Sequence, residues 1–172
     1  MGRFEKDHER NGDRVKQLWA PWRMPFILGE KYTGCILCEK PKESRDKQNL
    51  ILHRGEHGFV MLNLYPYNNG HLMISPYQHA SAFSELSGRI RNNLMALVAK
   101  SEAVLRKASH PEGINFGSNL GKAAGAGIAD HLHLHLVPRW GGDTNFMTVA
   151  ADVRVIPENI QKTYSRLKPY FK

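Results

Sequence analysis

Apolar positions change period several times along the chain, and each change marks an element. Residues 1–17 are polar and read as a loose arm, while residues 18–28 (LWAPWRMPFIL) are apolar with two prolines and suit an extended segment packed on a surface. After a polar loop through Gln48, short apolar runs at 49–53 and 58–64 predict a hairpin around residues 54–57. Tyr65-Pro66-Tyr67-Asn68-Asn69-Gly70 is turn chemistry, and residues 71–75 read as the next strand before Pro76. From 83 to 108 the period becomes helical, with Leu86, Ile90, Leu94, Leu97, Val98, Ser101, Val104 and Leu105 recurring at three- and four-residue spacing. His110-Pro111-Glu112-Gly113 ends that helix. Residues 113–118 resume strand character, 121–127 form a small-residue loop, and 131–137 predict another strand. Residues 141–172 predict one more short strand and a polar terminal helix ending near Pro169. Strands lie on both sides of one long helix without strict βαβ alternation, so the expected fold class is a single α+β domain with a mainly antiparallel sheet.

Composition removes several classes. The 172 residues are 41% hydrophobic and 23% charged, which is ordinary globular usage and excludes a disordered, collagen-like or coiled-coil chain. No stretch approaches the roughly 18 consecutive apolar residues of a membrane span. The charged start lacks the apolar core of a signal peptide, and Lys6 stands where myristoylation needs Ser or Thr. The expected location is therefore cytoplasmic, with no membrane partner. A net charge of +8 favours anionic partners. Because the basic residues are dispersed, without an aromatic-interleaved stripe, nucleic acid is disfavoured among them.

Nine histidines are more informative, three of them within His131-Leu132-His133-Leu134-His135. On a strand, alternate side chains share a face, so the imidazoles line one side with Cα atoms roughly 6.6 Å apart and the leucines enter a core. A metal-binding tract and a chance polar strand face are the competing readings, and chance is disfavoured because three adjacent imidazoles on a half-buried face carry a desolvation cost that needs offsetting. A neutral imidazole can attack phosphorus, and its neighbours can hold phosphate or pass a proton near neutral pH. His8, His53, His57 and His110 fall in loops or exposed positions and read as solvent-facing, and Trp19 and Trp22 read as packing.

Cys35 and Cys38 are the two cysteines, spaced C-x-x-C. A thioredoxin-like pair would want the first Cys at a helix start, and the context reads as a loop before a hairpin. A cytosolic disulfide is disfavoured. Half a zinc site needs two further N or S ligands. Zinc, two free thiols and a redox pair all stay open on the residues themselves.

HLHLHLVPR resembles the signature of the histidine triad (HIT) superfamily, and Asn63…Gly70-His71-Leu72-Met73-Ile74-Ser75-Pro76-Tyr77-Gln78-His79 is similar to that family's first half-site. The resemblance spans roughly residues 35–146. It implies a HIT-like fold with a five-stranded sheet, one long helix and a terminal helix. Residues 1–34 would be an N-terminal arm, 35–146 the HIT domain and 147–172 an extension packed on it.

By the same resemblance, His133 is the nucleophile, His135 and His71 line the phosphate site and His131 completes the catalytic set. Asn63 contacts the ribose, Asn119 and the small residues Gly125, Ala126 and Gly127 lie over the phosphates, and Ser118 is a further substrate-binding residue. Backbone N–H groups freed by Gly125 and Gly127 suit that task, and an ordinary turn is the competing reading of these glycines. The implied ligands of a structural zinc are Cys35, Cys38, His79 and His131, with no cofactor required for catalysis. Many family members carry a glutamine just before the triad, whereas this chain reads Gly125-Ala126-Gly127-Ile128-Ala129-Asp130. That loop, with Asn119-Leu120-Gly121 and Val137-Pro138-Arg139-Trp140-Gly141-Gly142-Asp143, is similar to the diadenosine tetraphosphate phosphorylase branch. There inorganic phosphate accepts the nucleotidyl group; with water instead, the reaction is a hydrolysis of dinucleoside polyphosphates or phosphoramidates. The family also implies a homodimer joined through the long helix and a sheet edge.

Overall fold

The computed structural model describes residues 34–143 and 156–172. The arm at 1–17, the apolar segment at 18–28 and the stretch at 144–155, where a further strand is expected, lie outside these residues. Among the described residues five strands form one sheet in the order β1-β2-β3-β5-β4: β1 (Ile51–Arg54), β2 (Gly58–Leu62), β3 (Leu72–Pro76), β4 (Gly113–Gly117) and β5 (Leu134–Arg139). Every recorded pairing is antiparallel, so the expected α+β fold with a five-stranded antiparallel sheet is what the chain adopts.

The sheet buries both faces, unequally. On one face Leu52, Val60, Leu62, Leu72, Ile74, Leu134 and Leu136 meet the long helix α3 (Gly88–Ser109), which contributes Leu94, Leu97, Val98, Val104 and Leu105. Fully burying one such side chain stabilises by about 1.5–3 kcal/mol, so this layer dominates the core. On the other face Ile51, Phe59, Met61 and Met73 gather around Leu37 of a short helix α1 (Ile36–Glu39). Gly58 lets β2 lie close to β3, because a Cβ there would come within 2.6 Å of the Ser75 carbonyl oxygen. The terminal helix α4 (Ile160–Leu167) and the turn after it send Tyr164, Leu167 and Phe171 into the α3-side core.

Several boundaries differ from the sequence reading, each for a local reason. The long helix begins at Gly88 rather than 83, because Ser87 caps it by accepting from Ile90 N, and residues Phe83–Glu85 form a separate 3₁₀ turn. The polar loop before the hairpin holds α1 and a second helical turn, α2 (Asp46–Asn49). Asn49 is therefore helical rather than the first strand residue; its amide donates to Glu43 at 2.6 Å, and Leu50 turns the chain with φ 60°. His53 and His57 are half-buried rather than solvent-facing: Nδ1 of His53 donates to the Phe171 carbonyl at 3.1 Å. His110, the left-handed cap of α3, is exposed as expected. Among the described residues no helix is long and apolar enough to cross a membrane.

Candidate functional site

The histidine run enters β5 three residues later than its alternation predicts, since the strand begins at Leu134. The backbone ahead of it stays extended enough to keep the alternation: Leu132, Leu134 and Leu136 are buried in the α3-side core while the three imidazoles point away from it. Ser75 Oγ holds this lead-in by donating to the Leu132 carbonyl at 2.9 Å. The imidazoles then diverge, because each meets a different part of the fold.

Hydrogen-bond direction sets their tautomers. A carbonyl can only accept, so the 2.8 Å contact between His133 Nδ1 and the His131 carbonyl places the proton on Nδ1 and leaves the Nε2 lone pair of a neutral His133 free. The Tyr67 backbone N–H, at 3.1 Å, makes His71 Nδ1 an acceptor, and Asn63 Nδ2 approaches the same atom at 3.3 Å. His71 therefore donates through Nε2 to His135 Nδ1 at 2.9 Å. His135 is left with an Nε2–H to present, and its ring lies edge-on to His133 with centroids 4.9 Å apart. A nucleophilic lone pair and a directed proton donor thus stand side by side.

Electrostatics keep His71 and His135 neutral. Burial, followed by its imidazole neighbours His135 and His133, pushes His71 down to about 3, and burial and His133 push His135 down to about 4. Both start from an ordinary value of 6.5, so between those limits the unfolded chain binds more protons than the native one. Their stabilising contribution is complete above about pH 6.5 and is lost as pH falls. Lowering pH from about 7 to 5 is expected to cost about 2 kcal/mol for fully buried His71, and less for half-buried His135. Urea unfolding at the two pH values measures this, and a His71→Asn variant should show a flatter pH dependence; equal dependence in both proteins would remove the burial account.

His131 leaves the triad for a second cluster. Its Nε2–H donates to the Pro76 carbonyl at 3.0 Å, which frees Nδ1 to face Cys35 Sγ at 3.2 Å and Cys38 Sγ at 3.3 Å. His79 Nδ1 joins at 3.3 Å from both Cys38 Sγ and His131 Nδ1. All four ligand atoms lie within 4.8 Å of one another. A tetrahedral ion with bonds of about 2.0–2.3 Å requires ligand atoms roughly 3.3–3.8 Å apart, so the set fits one divalent metal. Cys35 is the N-cap of α1 rather than part of a plain loop, which corrects the context read from sequence. The thiols nonetheless face imidazoles, and burial together with Cys35 raises the Cys38 thiol.

Of the remaining predicted residues, Asn63 and Ser118 touch the triad run, whereas the contacts of Asn119, Gly125 and Ala126 lie within their own loop. Ser118 Oγ donates to the His133 carbonyl at 2.8 Å, so it also braces the run. Asn119 Nδ2 reaches the Gly125 carbonyl at 3.4 Å and closes the small-residue loop. Gly125 has φ +85°, a conformation glycine favours, but its N–H donates to the Lys122 carbonyl and that of Ala126 to Gly121. These two amides are engaged inside the turn rather than free to cradle a phosphate. Asn63 accepts from Tyr65 N with its Oδ1 and approaches His71 with its Nδ2, which ties it to the triad as well. Sequence reading passed over Tyr67, whose ring stacks on His71, as ordinary turn chemistry; its one available signal was an aromatic four residues before a triad histidine.

The HIT domain family matches residues 44–142, and the chain belongs to that family. It is 39% identical over 160 residues to a protein named AP-4-A phosphorylase from Mycobacterium tuberculosis, an alignment covering 88% of this chain and 82% of that one. A hypothetical histidine triad nucleotide-binding protein from Sulfolobus tokodaii superposes with a TM-score of 0.62 at 22% identity, over 80% of this chain and 91% of that one. A zinc-bound histidine triad family protein from Mycobacterium smegmatis does so with a TM-score of 0.59 at 24% identity, covering 71% and 83% of the two chains. These two structures show that the fold is shared.

Proposed function

We propose that this HIT-family enzyme cleaves diadenosine tetraphosphate by nucleotidyl transfer through His133, with inorganic phosphate as acceptor. The observation that supports it most is the fixed tautomer of His133: with its proton held by the His131 carbonyl, its Nε2 lone pair is the attacking atom. Attack on the α-phosphorus forms a P–N bond and breaks the bond to the bridging oxygen, releasing ATP. The positive charge that develops on the ring is stabilised by the same Nδ1–H···O=C bond. His135 Nε2–H, oriented through His71 and the Tyr67 amide, donates to phosphate or leaving-group oxygens. A phosphate oxygen then attacks the adenylylated imidazole, the P–N bond breaks, and ADP leaves with His133 restored.

The glutamine-free loop and the 39% identity to the M. tuberculosis relative favour phosphate over water as acceptor. In the same reading Asn63, Ser118, Asn119 and the loop at Gly125, Ala126 and Gly127 border the nucleotide. Zinc bound by Cys35, Cys38, His79 and His131 would be closed to substrate, and its contribution would be to join α1, the segment after β3 and the histidine run. A cytoplasmic homodimer with residues 35–146 as its catalytic domain completes the proposal. Diadenosine tetraphosphate incubated with and without inorganic phosphate tests it: ATP plus ADP appearing with phosphate alone is expected, and ATP plus AMP without phosphate would make the enzyme a hydrolase.

A further inference from the structure

Tyr67 lies in the turn between Asn63 and His71. Its ring stacks on the His71 imidazole with centroids 4.8 Å apart at 30°, and tilts over His135 at 5.9 Å and 40°. Its backbone N–H donates to His71 Nδ1 at 3.1 Å. His71 has no exposed surface, whereas Tyr67 is 47% exposed, so the phenol ring is an outer layer over the imidazole. One residue therefore fixes His71 twice, through its backbone and through its ring.

We propose that Tyr67 is a positioning residue for nucleotidyl transfer: its N–H sets the direction of proton donation along His71 and His135, and its ring keeps that pair aligned and shields His71 from water. The inference rests on the proposed role of His135 as the proton donor. An imidazole pair joined by one 2.9 Å bond can rotate unless something restrains both rings. His71 is flanked by the Asn63 amide and by the buried sheet, and the ring that spans both imidazoles on the open side is that of Tyr67. Without it, water would reach His71 and compete for Nδ1, and the rings could turn so that His135 no longer presents an Nε2–H beside His133. Exposure would also favour the protonated forms. The titratable groups that face the pair, among the described residues, are the two imidazoles themselves, His133 on the lead-in to β5 and the Tyr67 phenol.

The test uses the full chain with Tyr67→Leu and Tyr67→Phe. Side-chain NMR follows the titration of His71 and His135, and steady-state rates on diadenosine tetraphosphate with phosphate are measured across pH. Tyr67→Leu is expected to raise both titrations by about one pH unit or more. It should also lower kcat about tenfold with KM changed less than about threefold, and Tyr67→Phe should restore both readouts. Should Tyr67→Leu fail to fold, Tyr67→Met, which keeps apolar bulk without a flat ring, takes its place. Unchanged titrations in the ring-less variant would overturn the proposal, as would a loss confined to KM, which marks a substrate contact. If the wild-type protein turns over no dinucleoside polyphosphate, the functional reading fails separately and the NMR titrations alone decide the role of Tyr67.

Discussion

His133→Ala is expected to lower kcat on diadenosine tetraphosphate by about 10⁴-fold while the protein stays folded. The size follows from what the substitution removes. His133 supplies the one lone pair that the hydrogen-bond pattern leaves free beside His135, and a methyl group cannot form the P–N bond. His135→Ala should be milder, about 10²-fold, because it removes a donor and leaves the nucleophile in place. Folding should survive in His133→Ala, since the ring contributes one hydrogen bond to a backbone carbonyl and the leucines beside it make the core. A nucleotidyl-enzyme trapped in alkali, where a P–N bond persists, should appear with the wild type and be absent from the variant. Turnover by His133→Ala at more than a few per cent of the wild-type rate would remove covalent catalysis from the account.

Loss of the metal ligands is expected to have the largest effect on stability. Cys35→Ser and Cys38→Ser should each lower bound zinc from about one per chain to near zero, measured by elemental analysis of the purified protein. They should lower Tm by about 10 °C or more, because the site joins α1, the residues after β3 and the lead-in to β5, and metal binding adds directly to folding free energy. Stripping the wild type with a chelator should reproduce the shift, and adding zinc back should reverse it. A fall in kcat of about tenfold should accompany it, since the His131 carbonyl holds the proton of His133 while the His131 ring would be a ligand of the metal. A protein that purifies without metal and melts identically with and without chelator would leave Cys35 and Cys38 as free thiols.

The antiparallel α+β fold was legible because its largest contributions are periodic. The leucines of the histidine run and the apolar stripe from Leu94 to Leu105 specify which faces are buried, whatever they pack against. Boundaries were less legible where one side chain decides them. Ser87 as a cap delays the long helix, and the left-handed Leu50 ends α2 where an apolar run had suggested a strand. Glycines at 125 and 127 suit either free amides or an ordinary turn, and the structure engages the Gly125 and Ala126 amides with Lys122 and Gly121, a choice that depends on a three-residue turn.

The candidate residues divide along the same line. Alternation alone places His131, His133 and His135 opposite their leucines, because a period of two is a property of the local backbone. What each imidazole does is a matter of what the sheet and α1 bring to it. The β3–β5 register sets Met73 opposite His135 and so brings His71 to its side. Helix α1 and the turn after β3 bring Cys35, Cys38 and His79 to His131, across 96, 93 and 52 residues of chain. Tyr67 meets His71 through a turn whose aromatic content alone does not say which way the ring faces. Local periodicity settles which side chains share a face; their partners, and with them the proton direction, the free lone pair and the candidate metal cluster, come from the tertiary fold, because hydrogen bonds and ligand geometry depend on groups distant in the chain.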